Sequence, residues 1–267
     1  MTYIFTAKTN DAYYFKILIE LLSNNIKTGH FKINEDFISL CSMDTNRKVL
    51  IKLKLLAENF TLYKYKGKER YLGINLGHLH KMLRSIKKKD SLQLFIDPQD
   101  TNKLGIKVFP KDNNRVSTSF ITIQTVQELE IDLPTGYNKP VIMPSAEFSK
   151  MLKDLNNIGS ETYINVQNFY VKFSCKTDGI FERIVEFGEM DFDNDSDEEI
   201  FNVYSQKFTT EQLSKITKIS GLSNQLKLYV GKPIMFKSNV GNLGEIMIFI
   251  KSIQEIDNDT HNRLLDN

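Results

Sequence analysis

Pairs of basic residues three apart recur along this chain in a repeated setting. They stand at Lys81 and Arg84, at Lys150 and Lys153, and at Lys215 and Lys218. The triplet Lys-Met-Leu at 81–83 returns at 150–152. Cations placed in a row can attract a nucleic-acid backbone although the net charge is only +2, because the local field follows placement and not the total. The surroundings of each pair are periodic. Apolar residues fall at Leu79, Met82, Leu83 and Ile86, and in the second copy at Phe148, Met151, Leu152 and Leu155. Steps of three and four predict one apolar stripe on an amphipathic helix. At about 100° per residue the basic residues lie opposite that stripe. Two weaker copies follow the same plan. One has Leu213 and Ile216 with Lys215 and Lys218. The other has Tyr14, Ile17, Leu18 and Leu21 with Lys16, and Ile19 takes its second basic slot.

Other reactive residue types do not assemble into a site. Gly67-Lys68 and Gly231-Lys232 lack the upstream glycine of a phosphate-cradling loop. His78 and His80 are two apart on a predicted helix and point in different directions, so they make a poor metal pair. No Gly-x-Ser-x-Gly nucleophile pattern occurs. Residues 189–199 hold seven acids in eleven. No register there supplies both the glycine and the closing glutamate of a calcium loop, so a solvated, self-repelling loop is the reading. Cys41 and Cys175 sit in strand-like runs and read as buried, reduced thiols of a cytosolic or nuclear protein. The sequence predicts a binding protein and not an enzyme, with no catalytic residue, no metal and no cofactor.

The elements that hold the ridges can be read around them. At 267 residues the chain accommodates one large domain or two of about 130. A hydrophobic fraction of 41% and a charged fraction of 25% are ordinary for a soluble globular protein. The opening MTYIFTAKTNDAYYF lacks the basic start and apolar core of a signal peptide, and no run of about 18 apolar residues predicts a membrane span. Between the helices, β-branched, aromatic or alternating runs predict strands at 48–55, 91–97, 103–109, 116–124, 162–167, 169–175, 224–230, 233–239 and 245–252. Turn formers such as Asp112-Asn113-Asn114 and Gly241-Asn242 separate many of them. Asn10 and Ser145 are predicted to cap the first and third helices, and Thr209 with Gln212 to form a capping box for the fourth. Each short helix precedes a group of strands. The expected class is α+β with a fourfold internal repeat, arranged as two similar halves. The stretch 127–140 has turn formers Pro134, Gly136 and Pro140 and no period, so it reads as a connector crossing the surface.

Five phrases now carry a resemblance: LCSMDTNRKVLIKLKL (40–55), GINLGHLHKML (73–83), MPSAEFSKMLKDLNNIG (143–159), YVKFSCKTDG (170–179) and KPIMFK (232–237). Their order and spacing resemble the proliferating cell nuclear antigen family, the DNA sliding clamps of eukaryotes, archaea and some large DNA viruses. The match is collinear until about Glu255. It implies a DNA clamp fold in two similar domains, each with two helices packed on antiparallel sheets. The expected bounds are an N-terminal clamp domain at 1–126, an interdomain connecting loop at 127–140, a C-terminal clamp domain at 141–256 and a flexible tail at 257–267. Three subunits of such a fold close head to tail into a ring, with helices lining a hole around duplex DNA. Phosphate contacts there ignore sequence and permit sliding.

By position, the family's DNA-facing basics fall on Lys16, Lys81, Arg84, Lys150, Lys153 and Lys218. The first helix departs from the family at Ile17 and Ser23, where Lys27 or the run Lys87–Lys89 are candidates to compensate. The chain is also less acidic than much of the family. The resemblance further implies a partner-peptide pocket at Met43, Leu50, Ile131, Leu133, Pro134, Pro233, Phe249 and Ile250. Partners dock there a motif Gln-x-x-aliphatic-x-x-aromatic-aromatic. Lys251-Ser252 replaces the Ala-Pro common after this point, and Thr209 replaces a small apolar residue. The implied role is a homotrimeric processivity factor for a DNA polymerase, opened by an ATP-driven clamp loader. It would serve as a docking platform for replication and repair proteins in the nucleus, or at a viral replication site, with no membrane partner. An alternative keeps the fold without the ring: a monomeric or dimeric viral-type polymerase accessory factor.

Overall fold

The computed structural model describes residues 3–112, 115–127, 131–167, 170–177, 180–188 and 204–265. The acidic segment 189–199 and residues 113–114 of the predicted turn lie outside the described residues. The chain divides into two compact units. The first holds Met1–Asp132 with Asn239–Met247, and the second holds Leu133–Ser238 with Ile248–Asn267.

The first unit begins with β1 (Phe5–Thr9), α1 (Ala12–Ser23), β2 (Thr28–Ile33), β3 (Phe37–Met43), β4 (Val49–Leu56), β5 (Leu62–Tyr65) and β6 (Arg70–Asn75). It continues with α2 (Leu76–Leu83), β7 (Ser91–Asp97), β8 (Asp100–Phe109) and β9 (Ser117–Thr122). Five strands pair in the order β5-β1-β7-β8-β9, and β4, β3, β2 and β6 lie side by side in a second sheet. These pairings are all antiparallel. Burial alternates along β2 and β3, the mark of a sheet with one face in the core. Helix α1 packs on α2, and Phe15 and Leu79 from the helices meet Phe5 and Leu94 of one sheet and Phe31 and Ile74 of the other.

The second unit repeats this plan with β10 (Val141–Pro144), α3 (Ser145–Asn156), β11 (Glu161–Gln167), β12 (Tyr170–Thr177), β13 (Phe181–Phe187), β14 (Tyr204–Thr209) and α4 (Thr210–Ser214). A 3₁₀ turn at Thr217–Gly221 follows, then β15 (Gln225–Tyr229), β16 (Ile234–Val240), β17 (Gly244–Ile250) and α5 (Ile253–Leu265). One sheet runs β13-β12-β11-β14, and β10, β15 and β16 pair in a second. Phe148 of α3 stands 5.9 Å from Phe173 and 5.3 Å from Phe236, so the helix is anchored on both sheets. The class is therefore α+β, as expected.

Several local expectations are corrected. Asn10 does not cap α1. Its side chain accepts from Ser91 Oγ, while Thr9 Oγ1 accepts from the Asp11 amide. Ser145 is the first residue of α3 and not its cap, and its hydroxyl donates to the Ser223 carbonyl. Thr209 and Gln212 meet side chain to side chain at 2.6 Å instead of closing a capping box on the backbone. A side-chain cap does form on α2, where Asn75 Oδ1 accepts from the His78 amide at 2.9 Å. The fourth helix is one short turn, then a break. Ser214 and Thr217 hydroxyls bond back to carbonyls three residues earlier, which competes with helix propagation. The stretch read as a tail, 257–267, lies largely in α5, which has a true capping box. Ser252 Oγ accepts from the Glu255 amide at 3.2 Å, and Glu255 Oε2 accepts from the Ser252 amide at 2.8 Å. Cys41 is half-buried and Cys175 buried, both free thiols.

Candidate functional site

Helices α1 and α3 have equal length and follow the first strand of their units, so they compare residue by residue. Phe15 matches Phe148, and both are buried. The register read from the sequence, with Tyr14 in that slot, is displaced by one. The slots of Lys150 and Lys153 then fall on Ile17, which is buried, and Glu20. Helix α1 thus presents no basic pair. Lys16 matches Ser149, and the two share a task. Lys16 Nζ donates to the carbonyls of Arg84 and Ile86 at 2.8 and 3.0 Å. Ser149 Oγ donates to the Thr217 carbonyl at 2.7 Å. Each ties the long helix of its unit to the end of the short one. An ammonium suits the C-terminal carbonyls of α2, which carry partial negative charge.

The other basic positions point outward. Lys81 in the last turn of α2 and Arg84 at its cap are exposed. Lys150 and Lys153 are exposed opposite Phe148, Met151, Leu152 and Leu155, all buried. Lys218 is exposed on the 3₁₀ turn, whereas Lys215 pairs with Glu211 at 3.0 Å. Lys87–Lys89 are exposed on a loop held by buried Asp90, whose carboxylate accepts from the Lys87 and Lys111 amides at 2.8 and 3.3 Å. Lys88 Nζ lies 5.9 Å from the Tyr13 ring centre, within cation–π range.

The expected pocket residues divide between the units. In the first, Met43 is 37% exposed and stands directly across from buried Leu50 in the β3–β4 pair, and Ile131 is half-buried. The hairpin beyond Met43 is fixed by Asp44, whose carboxylate accepts from the Lys48 and Val49 amides at 2.7 and 2.8 Å. In the second, Leu133, Pro134 and Pro233 are half-buried, while Phe249 and Ile250 are core residues.

Sequence reading missed Tyr137. Its hydroxyl donates to the Pro233 carbonyl at 2.6 Å, and its ring lies 6.0 Å from Phe249 and 6.3 Å from Tyr229. A Cβ at Gly231 would come within 2.5 Å of that ring, so glycine makes room for it. The available signal was an aromatic beside Gly136 in a segment otherwise rich in turn formers. Burial, then the Glu255 carboxylate, pushes the Tyr137 phenol up to about 12. The Lys251-Ser252 departure starts α5: Ser252 is its buried cap, and Lys251 Nζ pairs with Asp259 at 2.5 Å. Among the described residues, no three His, Cys, Asp or Glu side chains gather to hold a metal, and no helix is long and apolar enough to cross a membrane.

Two family models together account for nearly the whole chain. Residues 4–132 match the N-terminal domain of proliferating cell nuclear antigen, and residues 133–259 match its C-terminal domain. The chain belongs to the proliferating cell nuclear antigen family. The antigen of Chaetomium thermophilum is 24% identical over 250 residues, covering 91% of this chain and 96% of that protein. A protein of Paramecium bursaria Chlorella virus 1, described as "Probable DNA polymerase sliding clamp 1", is 22% identical over 262 residues, covering 94% and 97%. The crystal structure of the Entamoeba histolytica antigen superposes with a TM-score of 0.81 at 20% identity, covering 94% of this chain and 99% of that one. That likeness establishes the clamp fold, and the family models establish membership among the sliding clamps.

Proposed function

We propose that this chain is the protomer of a homotrimeric ring that encloses duplex DNA and keeps a DNA polymerase on its template. The observation that carries the reading is the repeated ridge. Lys81 and Arg84 in one unit, and Lys150 and Lys153 in the other, stand exposed opposite a buried stripe. In a family of sliding clamps, such ridges suit phosphates, whose contacts position a protein without reading sequence. Lys218 joins them, whereas Lys16 spends its donors on the carbonyls at the end of α2 and stands off the ridge. The role is binding and not catalysis. An ATP-driven loader opens the ring, which works in the nucleus or at a viral replication site. Native mass in solution tests the assembly: a trimer at micromolar concentration is expected. A monomer or dimer would remove the ring and leave the alternative accessory-factor reading, in which the same ridges rest on DNA without enclosing it.

Met43, Leu50, Ile131, Leu133, Pro134, Pro233, Phe249 and Ile250 are proposed to receive partner motifs of the form Gln-x-x-aliphatic-x-x-aromatic-aromatic from replication and repair proteins, with Leu50, Phe249 and Ile250 as buried support. Aromatic anchors dominate such interfaces. In calorimetric titration with a peptide of this form, Leu133→Ala combined with Phe249→Ala should cost about 2 kcal/mol or more. Equal affinity for variant and parent would place recruitment elsewhere.

A further inference from the structure

The five-stranded sheet of the first unit buries one face through Phe5, Ala7, Leu94 and Ile106. Register defines the other face. One row across the strands runs Leu62, Lys8, Gln93, Lys107, Thr118, and the next runs Lys64, Thr6, Phe95, Gly105, Phe120. Neither row contains an acid. Lys103, beyond the second row, is paired with Asp100 at 2.8 Å, but no described carboxylate pairs with Lys8, Lys64 or Lys107.

Two of these cations are held in place by aromatic rings. Lys107 Nζ donates to the Tyr3 hydroxyl at 2.9 Å and lies 4.8 Å from the Phe95 ring centre. Lys8 Nζ lies 4.9 Å from the Phe109 ring centre. Phe95 covers Gly105, where any Cβ would strike the ring, so the glycine sets the platform that carries Lys107. Beside Phe95, at 5.9 Å, stands Phe120, 55% exposed.

We propose that this sheet face binds a single-stranded nucleic acid, separately from the helical ridges. Strands in a sheet are about 4.8 Å apart, so Lys8 and Lys107, two strands apart, rise from backbone positions about 10 Å apart, with Lys64 diagonal to Lys8. A flexible strand can bring phosphates to cations at such intervals, and an unpaired base can stack on the open ring of Phe120. A duplex keeps its bases stacked and has none to offer that ring. An acidic polypeptide would use the cations and be indifferent to Phe120. Pairing along the rim of β9 would engage edge backbone groups and leave the face open.

The test is fluorescence anisotropy with a labelled oligothymidine of about 20 nucleotides, longer than the footprint of one binding domain. The full chain is compared with a face variant (Lys8→Gln, Lys64→Gln, Lys107→Gln), with Phe120→Ala, and with a ridge variant (Lys81, Arg84, Lys150 and Lys153 to Ala). Circular dichroism verifies folding, and the separate Lys64→Gln variant, at an exposed position, serves if the triple one is unstable. The face variant should lose tenfold or more in affinity and about two units of salt slope, at about 0.7 per phosphate contact. Phe120→Ala should weaken binding several-fold, and the ridge variant should bind as the parent does. Loss in the ridge variant alone, or parental binding by the face variant, overturns the proposal. So does unchanged binding in Phe120→Ala with displacement by polyglutamate, which would assign the face to an acidic polypeptide. Salt-dependent binding of a linear duplex by the parent and the ridge variant is read in parallel, so failure of the sheet-face site and failure of the sliding-clamp reading remain distinct.

Discussion

Lys16 and Tyr137 show how single residues take roles that their types leave open. Lys16 has two carbonyl acceptors at the end of α2. Lys16→Ala should therefore cost about 1.5–3 kcal/mol, the range for hydrogen bonds that involve a charged group. It should leave the salt slope of duplex binding close to the parent's. Arg84→Ala should do the reverse, with stability within about 0.5 kcal/mol and a slope lower by about one unit. Urea unfolding and salt titration of the two variants decide it, and a large slope change in Lys16→Ala would mean the ammonium faces DNA. Tyr137 titrates in the alkaline range. Its phenol rises from the ordinary 10.0 to about 12 on folding. The folded chain holds that proton more tightly than the unfolded one, so the contribution is whole below about 10 and is lost as pH rises toward about 12. Urea midpoints should fall across that window, and less steeply in Tyr137→Phe. Parallel profiles for the two proteins would refute the assignment.

Among the elements, β9 and β13 each end a sheet. Unpaired edges invite pairing with another chain. Both carry exposed apolar side chains, Val116 beside β9, and Ile180, Phe181 and Ile184 at β13. The orientation of β9 follows from one bond. The Ile123 amide donates to the Asn102 carbonyl at 2.8 Å, so alternation turns the backbone N–H and C=O groups of Ser117, Ser119 and Ile121 toward β8 and those of Thr118, Phe120 and Thr122 toward the open rim. Gln124, on the rim side, is already paired with Gly73. Proline lacks the amide proton and is tolerated only where no ladder bond is needed. Thr118→Pro should give a folded monomer, because it blocks only the rim. Ser119→Pro should instead disrupt the β8–β9 ladder and lower the melting temperature. Light scattering with circular dichroism separates the outcomes, and a trimeric Thr118→Pro protein would rule out this rim as the subunit interface.

For the molecule as a whole, a net charge of +2 makes placement decisive. The inner surface proposed for DNA draws on α2, α3 and the turn after α4, while α1 offers Ile17 and Glu20 in the matching slots. Replacing Lys81, Arg84, Lys150 and Lys153 by alanine should leave the fold and the native mass unchanged, since all four oppose buried stripes. It should weaken retention on closed-circular DNA and lower the salt slope by about one unit for each phosphate that is no longer neutralised. An unchanged slope would mean that these residues do not face the duplex.

Elements whose pattern has one solution are legible in the chain before it folds. The α3 stripe Phe148, Met151, Leu152 and Leu155 is buried as its spacing requires, and Ser91–Asp97 is a strand over the residues read as one. The five phrases carried the family because their order and spacing are properties of the chain alone. The phase of α1 was different. In AYYFKILIELLS nearly every position but Lys16, Glu20 and Ser23 is apolar, so Tyr14 and Phe15 fit a helical period almost equally well. Only packing against α2 and the two sheets selected Phe15, and that choice moved Lys16 off the ridge. The hydroxyl and amide caps were undecided for a related reason. Asn10, Ser145 and Thr209 each had a local acceptor or donor within reach, but folding brought Ser91, Ser223 and the Gln212 side chain to them. Tyr137 met Pro233, and the sheet face assembled Lys8, Lys64 and Lys107, through contacts between residues distant in the chain. Periodicity fixes which residues can share a face; which partner satisfies a polar group, and which of two apolar phases is buried, is settled by the free energy of the packed whole.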